Sequence, residues 1–415
     1  MNIVEILPEG DEATRDDALI IEWANTPGRE TAKAVIDANP FFTQFGNVPA
    51  AGIDLARTAI GAYLADRFSP RSSVNWSRQM VLVVHMIDPA GFAPALDLLQ
   101  PLLFWITGDD WQIVPVAGES KRPDPLIVEP APAVSLLSGG LDSLCGGLLS
   151  DSGTVFVGQR DSKAVAHAQH LLRDDLVKVR GSVIYEQLRV QAPNARERSS
   201  RSRSTMFTSL GTALAAARGA RILFVPENGF TSLNPPLASN RGGPHTTRST
   251  HPTTIAYANA INAALGLDVR LENPYEQMTK GELVETAANA IGRKALEGII
   301  PHTYSCATSN GHFFKGGSAF LNCGVCVACM TRRGSIREAK LVDQSEYLID
   351  RLQGSAREAF LAERGGDLSV VRALAGWQPD EATLTAIGPF PPGYDFEVAK
   401  EVLARGMKEL VNGLP

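Results

Sequence analysis

AVSLLSGGLDS, running from Ala133 to Ser143, reads as a short buried strand, a glycine turn and the opening of a helix. That order suits an anion. Glycines let backbone N–H groups approach closely, and a helix N-terminus adds unpaired donors and a favourable dipole. Ser138 and Ser143 can donate hydroxyl hydrogen bonds to phosphate oxygens, and Gly139, Gly140 and Leu141 supply backbone donors. Asp142 would repel a phosphate, so its fitting tasks are to bind Mg2+ bridging the phosphates or to orient the loop. The lysine-ended nucleotide loop G-x-x-x-x-G-K-[ST] is absent.

Downstream, short apolar strands at 154–157, 183–190, 221–225 and 268–271 alternate with helical stretches at 162–172, 204–218 and 252–265. This alternation predicts a parallel α/β sheet covered on both faces, with ligands outside the carboxyl ends of its strands. Upstream, Glu119 to Pro132 holds four prolines and reads as an exposed linker. Before it, helical Ile53–Ala65, strand Gln79–Ile87, apolar helix Phe92–Ile106 and strand Trp111–Val116 form an N-terminal α/β module. After about residue 340 the pattern is helical. The expected division is 1–130, 131–340 and a 341–415 helical extension.

The 415 residues carry a formal charge of −6. An acidic chain is poorly suited to sequence-blind nucleic-acid binding. No apolar run reaches a membrane span, and the acidic N-terminus lacks signal-peptide regions, so a cytoplasmic protein is expected. Cys306, Cys323, Cys326 and Cys329 form C-x16-C-x2-C-x2-C. In a reducing cytosol such a set suits a closed, structural tetrahedral zinc site, with Cys306 returning from a strand end. An iron–sulfur cluster or free thiols are the alternatives. Cys145 reads as a packed helix residue.

The glycine loop followed by this cysteine spacing resembles the 7-cyano-7-deazaguanine synthase (QueC) family of PP-loop ATP pyrophosphatases. The likeness covers roughly residues 133 to 340. Gly158-Gln159-Arg160, the RSTMF run from Arg203 to Phe207, Thr279-Lys280-Gly281-Glu282 and Cys323 to Arg332 are similar to further family segments. The family's Tyr-Pro-Asp-Cys-Arg segment is missing. In its place stand Glu227-Asn228-Gly229, Asn234-Pro235-Pro236 and Thr247-Arg248-Ser249-Thr250-His251-Pro252, and Tyr304 replaces a usual tryptophan. The long layout resembles QueC-like proteins of bacterial anti-phage operons, of the QatC type.

The resemblance implies an adenine nucleotide alpha hydrolase-like (HUP-like) doubly wound domain using ATP, Mg2+ and Zn2+. It implies adenylation of a deazapurine carboxylate, 7-carboxy-7-deazaguanine, followed by transfer to an amine. That amine is ammonia, or a group on a partner protein from the same operon. Asp142, Lys280 and Arg203 are then the catalytic candidates, with Lys280 reaching a phosphate. Arg203 either neutralises phosphate at a helix start or belongs to a mobile basic loop, Ala195 to Arg203. Gln159 joins the loop as a nucleotide contact or is a polar strand end. Glu227 and Asn228 are substrate candidates or an ordinary turn, and Arg248 pairs with the substrate carboxylate or is a surface residue. His251 is assigned to a helix start and Arg332 to support of the cysteine knuckle. The competing functions are a tRNA-modifying PP-loop enzyme and a catalytically silent nucleotide binder.

Overall fold

The computed structural model describes residues 2–8, 10–23, 34–37, 44–72, 77–118, 126–193, 195–197, 201–235, 237, 248–307, 311–314 and 317–415. Residues 119–125 of the linker, Arg198 to Ser200 of the basic loop, Pro236 and Thr247 lie outside the described residues.

The N-terminal segment builds β1 (Asn2–Pro8), β2 (Leu19–Trp23), β3 (Val35–Asp37), α1 (Ala50–Phe68), β4 (Gln79–Met86), α2 (Pro89–Thr107) and β5 (Asp110–Ala117). Four of the strands form a parallel sheet in the order β2-β1-β4-β5, with Val4 paired to Leu19 on one side and Leu82 on the other. By length and composition α2 could cross a membrane. Here its Phe92, Leu99, Leu102, Leu103 and Ile106 are buried in the core beside β5.

The alternation that begins at β6 (Val134–Leu136) continues through α3 (Leu141–Leu149), β7 (Val155–Arg160), α4 (Lys163–Arg180), β8 (Tyr185–Gln191) and α5 (Arg203–Ala217). It ends with β9 (Ile222–Phe224), α6 (Gly229–Leu233), α7 (Pro252–Ala264), β10 (Arg270–Glu272) and α8 (Lys280–Ile291). The strands lie in the order β10-β9-β6-β7-β8-β3. All pair in parallel except β3, which crosses over from the N-terminal segment and runs antiparallel to β8, Ile36 opposite Val190. From β6 the chain first winds through β7 and β8, then returns to β9 and β10. The winding therefore reverses between β6 and β9, where ligands sit in such sheets.

One apolar core runs through both sheets. It joins Ile6, Ile60 and Leu82 to Leu136, Leu210, Leu214 and Leu223, with α1 packed on α5 between the two sheets. Helix α1 is therefore buried nearly all round, as its lack of a polar face requires. Then follow α9 (Arg293–Ile299), α10 (Val327–Glu338), α11 (Leu348–Arg351), α12 (Gly354–Arg364), α13 (Gly366–Ala373), α14 (Glu381–Ile387) and α15 (Phe396–Asn412). A second core wraps these C-terminal helices around the cysteines. Val325, Cys329 and Met330 pack with Leu348, Phe360, Val371 and Leu403, and with Phe230 of α6.

Candidate active site

The 138–143 loop is a self-capped turn. Gly139 lies at φ +93°, a backbone conformation that side chains other than glycine resist. Ser143 Oγ donates to Gly140 O (3.0 Å) and accepts from Ser138 N (3.2 Å), while Ser138 Oγ accepts from Gly140 N (3.3 Å). Both hydroxyls therefore shape the turn, as well as standing at its mouth. Gly158 explains a second close approach: a Cβ there would sit 2.2 Å from Tyr185 Oη, which donates to Leu137 O at the loop entrance.

Asp142, in the first turn of α3, points across the reversal. Asn228 Nδ2, after β9, donates to Asp142 Oδ1 (3.1 Å), and Lys280 Nζ, at the start of α8, pairs with Asp142 Oδ2. Asp142 is 8% exposed, Lys280 7% and Asn228 0%. Lys280 is aimed by a capping box in which Thr279 Oγ1 accepts from Glu282 N and Glu282 returns a bond to Thr279 N. Burial alone would lower the Lys280 ammonium, but Asp142 and Glu227 outweigh it and hold the lysine above its usual value. Glu227 is half-buried, and burial, then the Asp142 carboxyl group, pushes its carboxyl well up against the opposing pull of Lys280. The Lys280 ammonium thus faces two acidic side chains, Asp142 and Glu227. Asn228 also caps α6, accepting from Thr231 N (3.0 Å).

Gln159 is fully buried, donating to Val190 O (2.7 Å) and accepting from Arg203 Nε (2.8 Å). Its side chain thereby holds half-buried Arg203, which also pairs with Asp161 at 3.7 Å. Gln169, on the buried face of α4, was not anticipated. Its Nε2 donates to both Ser138 O (3.3 Å) and Gln159 O (3.1 Å), tying the loop to that arm. A glutamine among Ala164, Ala168, Leu172 and Leu176 was the available signal. Arg248 is engaged by the N-terminal segment: it donates to Trp105 O (2.7 Å) and lies 3.8 Å over the Trp105 ring.

Cys306, Cys323, Cys326 and Cys329 place their four sulfurs within 4.8 Å of one another. Cys323 Sγ accepts from Cys326 N (3.3 Å) and Val325 N (3.5 Å), and Cys306 Sγ from Cys323 N (3.3 Å). The N–H groups turned onto Cys306 and Cys323 favour thiolates there, and the four sulfurs lie close enough to fit one closed metal shell. Cys306 lies in an irregular stretch after a 3-10 turn at Ile300–His302, rather than at a strand end. That stretch touches the glycine loop: Tyr304 N donates to Gly139 O (2.9 Å), and Leu141 N to Ser305 Oγ (3.4 Å). Arg332 is fully buried and binds Thr303, Ile300 O, Ser345 and Tyr347, bracing the stretch rather than the sulfurs. Burial pushes the Cys145 thiol up, which fits a packing residue. His251 caps α7, its ring nitrogen accepting from Thr253 N. A cavity of about 680 Å³ lies between α14 and α15 and shares no lining residue with this site.

Over part of its length the chain is similar to 7-cyano-7-deazaguanine synthases. It is 30% identical over 82 residues to that of Methanococcus maripaludis strain C5, covering 20% of this chain and 32% of that protein. It is 30% identical over 114 residues to that of Desulfotalea psychrophila (27% and 45%), and 29% identical over 104 residues to that of Methanococcus aeolicus (23% and 40%). The chain thus spans 32% to 45% of the length of these curated relatives. No family model matches it.

Proposed function

We propose that this chain is an ATP-dependent ligase that adenylates a carboxylate, with 7-carboxy-7-deazaguanine as the acid, and transfers the acyl group to an amine. The supporting observation is the buried Asp142–Lys280 pair at the N-terminal turn of α3, where the sheet reverses. The acid's oxygen attacks the α-phosphorus, the bond to the bridging oxygen breaks, and pyrophosphate leaves with the electron pair. An amine nitrogen then attacks the acyl carbon and gives up a proton as AMP departs.

In this reading the N–H groups of 139–141 and the α3 dipole hold the departing phosphates. Mg2+, when bound, supplies charge neutralisation there, and Asp142 would hold it. Lys280 would then turn its ammonium to the phosphates, and Arg203 would add a second cation. Asn228 and Glu227, at the carboxyl end of β9, face the acid. The four thiols hold a structural Zn2+ that braces the loop through Tyr304. The amine is ammonia, leading to amide or nitrile, or a group on a partner protein in an anti-phage operon.

ATP–pyrophosphate exchange tests the reading. Exchange that requires 7-carboxy-7-deazaguanine upholds it. Exchange seen only with tRNA moves the substrate to nucleic acid, and ATP binding without exchange under any acid makes the chain a silent binder.

A further inference from the structure

Helix α2 ends at Thr107, capped by Gly108 at φ 74°. Its last carbonyls lack partners within the helix and form the negative end of its dipole. Three arginines from outside occupy them. Arg248 donates to Trp105 O (2.7 Å), Arg201 to Thr107 O (2.9 Å) and Arg71 to Thr107 O (3.2 Å). Two of the three come from the central segment, 143 and 94 residues along the chain from their acceptors.

Beside this turn lies a buried charge network. The Asp66 and Asp109 side chains are 0% exposed and are bridged by Arg78 at 2.5 Å to each, with Arg71 at 2.5 Å from Asp109 and 3.3 Å from Asp66. Opposite charges thus pair in the buried interior, as burial demands, and Arg201 lies within reach of the same two carboxylates. The second oxygen of Asp66 accepts from Ser202 Oγ (2.9 Å). Ser202 immediately precedes Arg203, the first residue of α5. On the other flank, Arg71 N donates to Glu197 Oε2 (2.8 Å), and Glu197 N to Arg67 O (3.1 Å). The N-terminal segment therefore grips residues 197, 201 and 202, and separately Arg248.

We propose that the C-terminal turn of α2, with Asp66, is a positioning device through which the N-terminal segment aims Arg203 at the glycine loop. Ser202, Asp66 and Arg201 are its positioning residues. Arg203 hands the alignment to Gln159, and Gln169 carries it to Ser138 O. Arg203's task at the phosphates rests on the adenylation reading; the grip on its helix does not.

The test uses the full-length chain with Ser202→Ala, which removes one hydroxyl and no charge, and Ser202→Thr, which restores the hydroxyl. Amide exchange is followed at residues 201–207, ATP affinity by calorimetry, and KM and kcat by pyrophosphate exchange. A charge-assisted buried hydrogen bond is worth a factor of about ten or more. Ser202→Ala should raise exchange at 201–207 and the Kd and KM for ATP by about that factor, with kcat changed less than about threefold and all three recovered in Ser202→Thr. Unchanged exchange in Ser202→Ala overturns the device, as does faster exchange with unaltered ATP affinity. A wild-type chain that binds no ATP removes the adenylation reading, and the exchange rates alone then decide whether the grip exists.

Discussion

Two polar centres border the glycine loop, and they are assembled in opposite ways. Three of the four thiols come from the seven residues between Cys323 and Cys329, and backbone N–H groups of the same turn cradle them. Asp142, Glu227 and Lys280 instead come from three distant segments and meet only because the winding reverses between β6 and β9. The first centre is a local design whose four sulfurs lie close enough to share one metal ion. The second is a tertiary design in which one lysine faces two acidic side chains. A local centre should fail as a fold; a tertiary one should fail as a catalyst.

The largest expected effect is on the thiols. Cys326→Ser, or removal of metal by a chelator, should cost several kcal/mol, because metal binding in such a knuckle is folding free energy. Denaturant midpoint and bound metal should fall together. A variant that keeps its midpoint without metal would break the contrast.

Lys280→Ala comes next. It removes the cation paired with Asp142, and its main readout is catalysis. Pyrophosphate exchange should fall at least a hundredfold while metal content stays intact. Exchange that survives would show that the lysine is only structural.

A pH titration follows. Burial raises the Glu409 carboxyl of α15 to about 7, against hydrogen bonds from Thr279 and Gly281 at the head of the Lys280 helix. Its ordinary value is 4.5, so the folded chain holds this proton more tightly than the unfolded one. The resulting stabilisation is full below about pH 4.5 and is lost as pH rises through about 7, up to about 3 kcal/mol. Glu409→Gln should flatten that slope in urea unfolding at a series of pH values; an unaltered slope would place the titration elsewhere.

The smallest effect is expected from Glu227→Gln. Burial shifts the Glu227 carboxyl toward its protonated form, which an amide resembles, so stability should change by less than about 1 kcal/mol. A large loss would show that the carboxyl itself, and not its shape, holds the centre together.

The same contrast explains what was legible in the sequence. Strands of the central sheet are short continuous apolar runs such as Val155–Val157, and they stood out because both faces are covered. The loop and the cysteines stood out because their spacing is local. Strand β1 did not, because Glu5 interrupts NIVEILP; its carboxylate is buried by accepting from Thr14 N (2.8 Å) and facing His85 Nε2 (2.7 Å), partners 9 and 80 residues away. Strand β3 was hidden because its partner, β8, belongs to the other sheet. The contacts of Arg248, Gln159 and Gln169 were not legible for one reason: pattern marks a residue as polar, and only packing decides whether its head meets water or another part of the chain.

The bond from Tyr304 N to Gly139 O lies two residues from Cys306. Those residues act as a ruler between the cysteine cluster and the glycine turn. Asn322, next to Cys323, is tied to the same stretch, accepting from Ser305 N (3.0 Å). One residue added between Tyr304 and Cys306 would put cluster and turn out of step while leaving each intact.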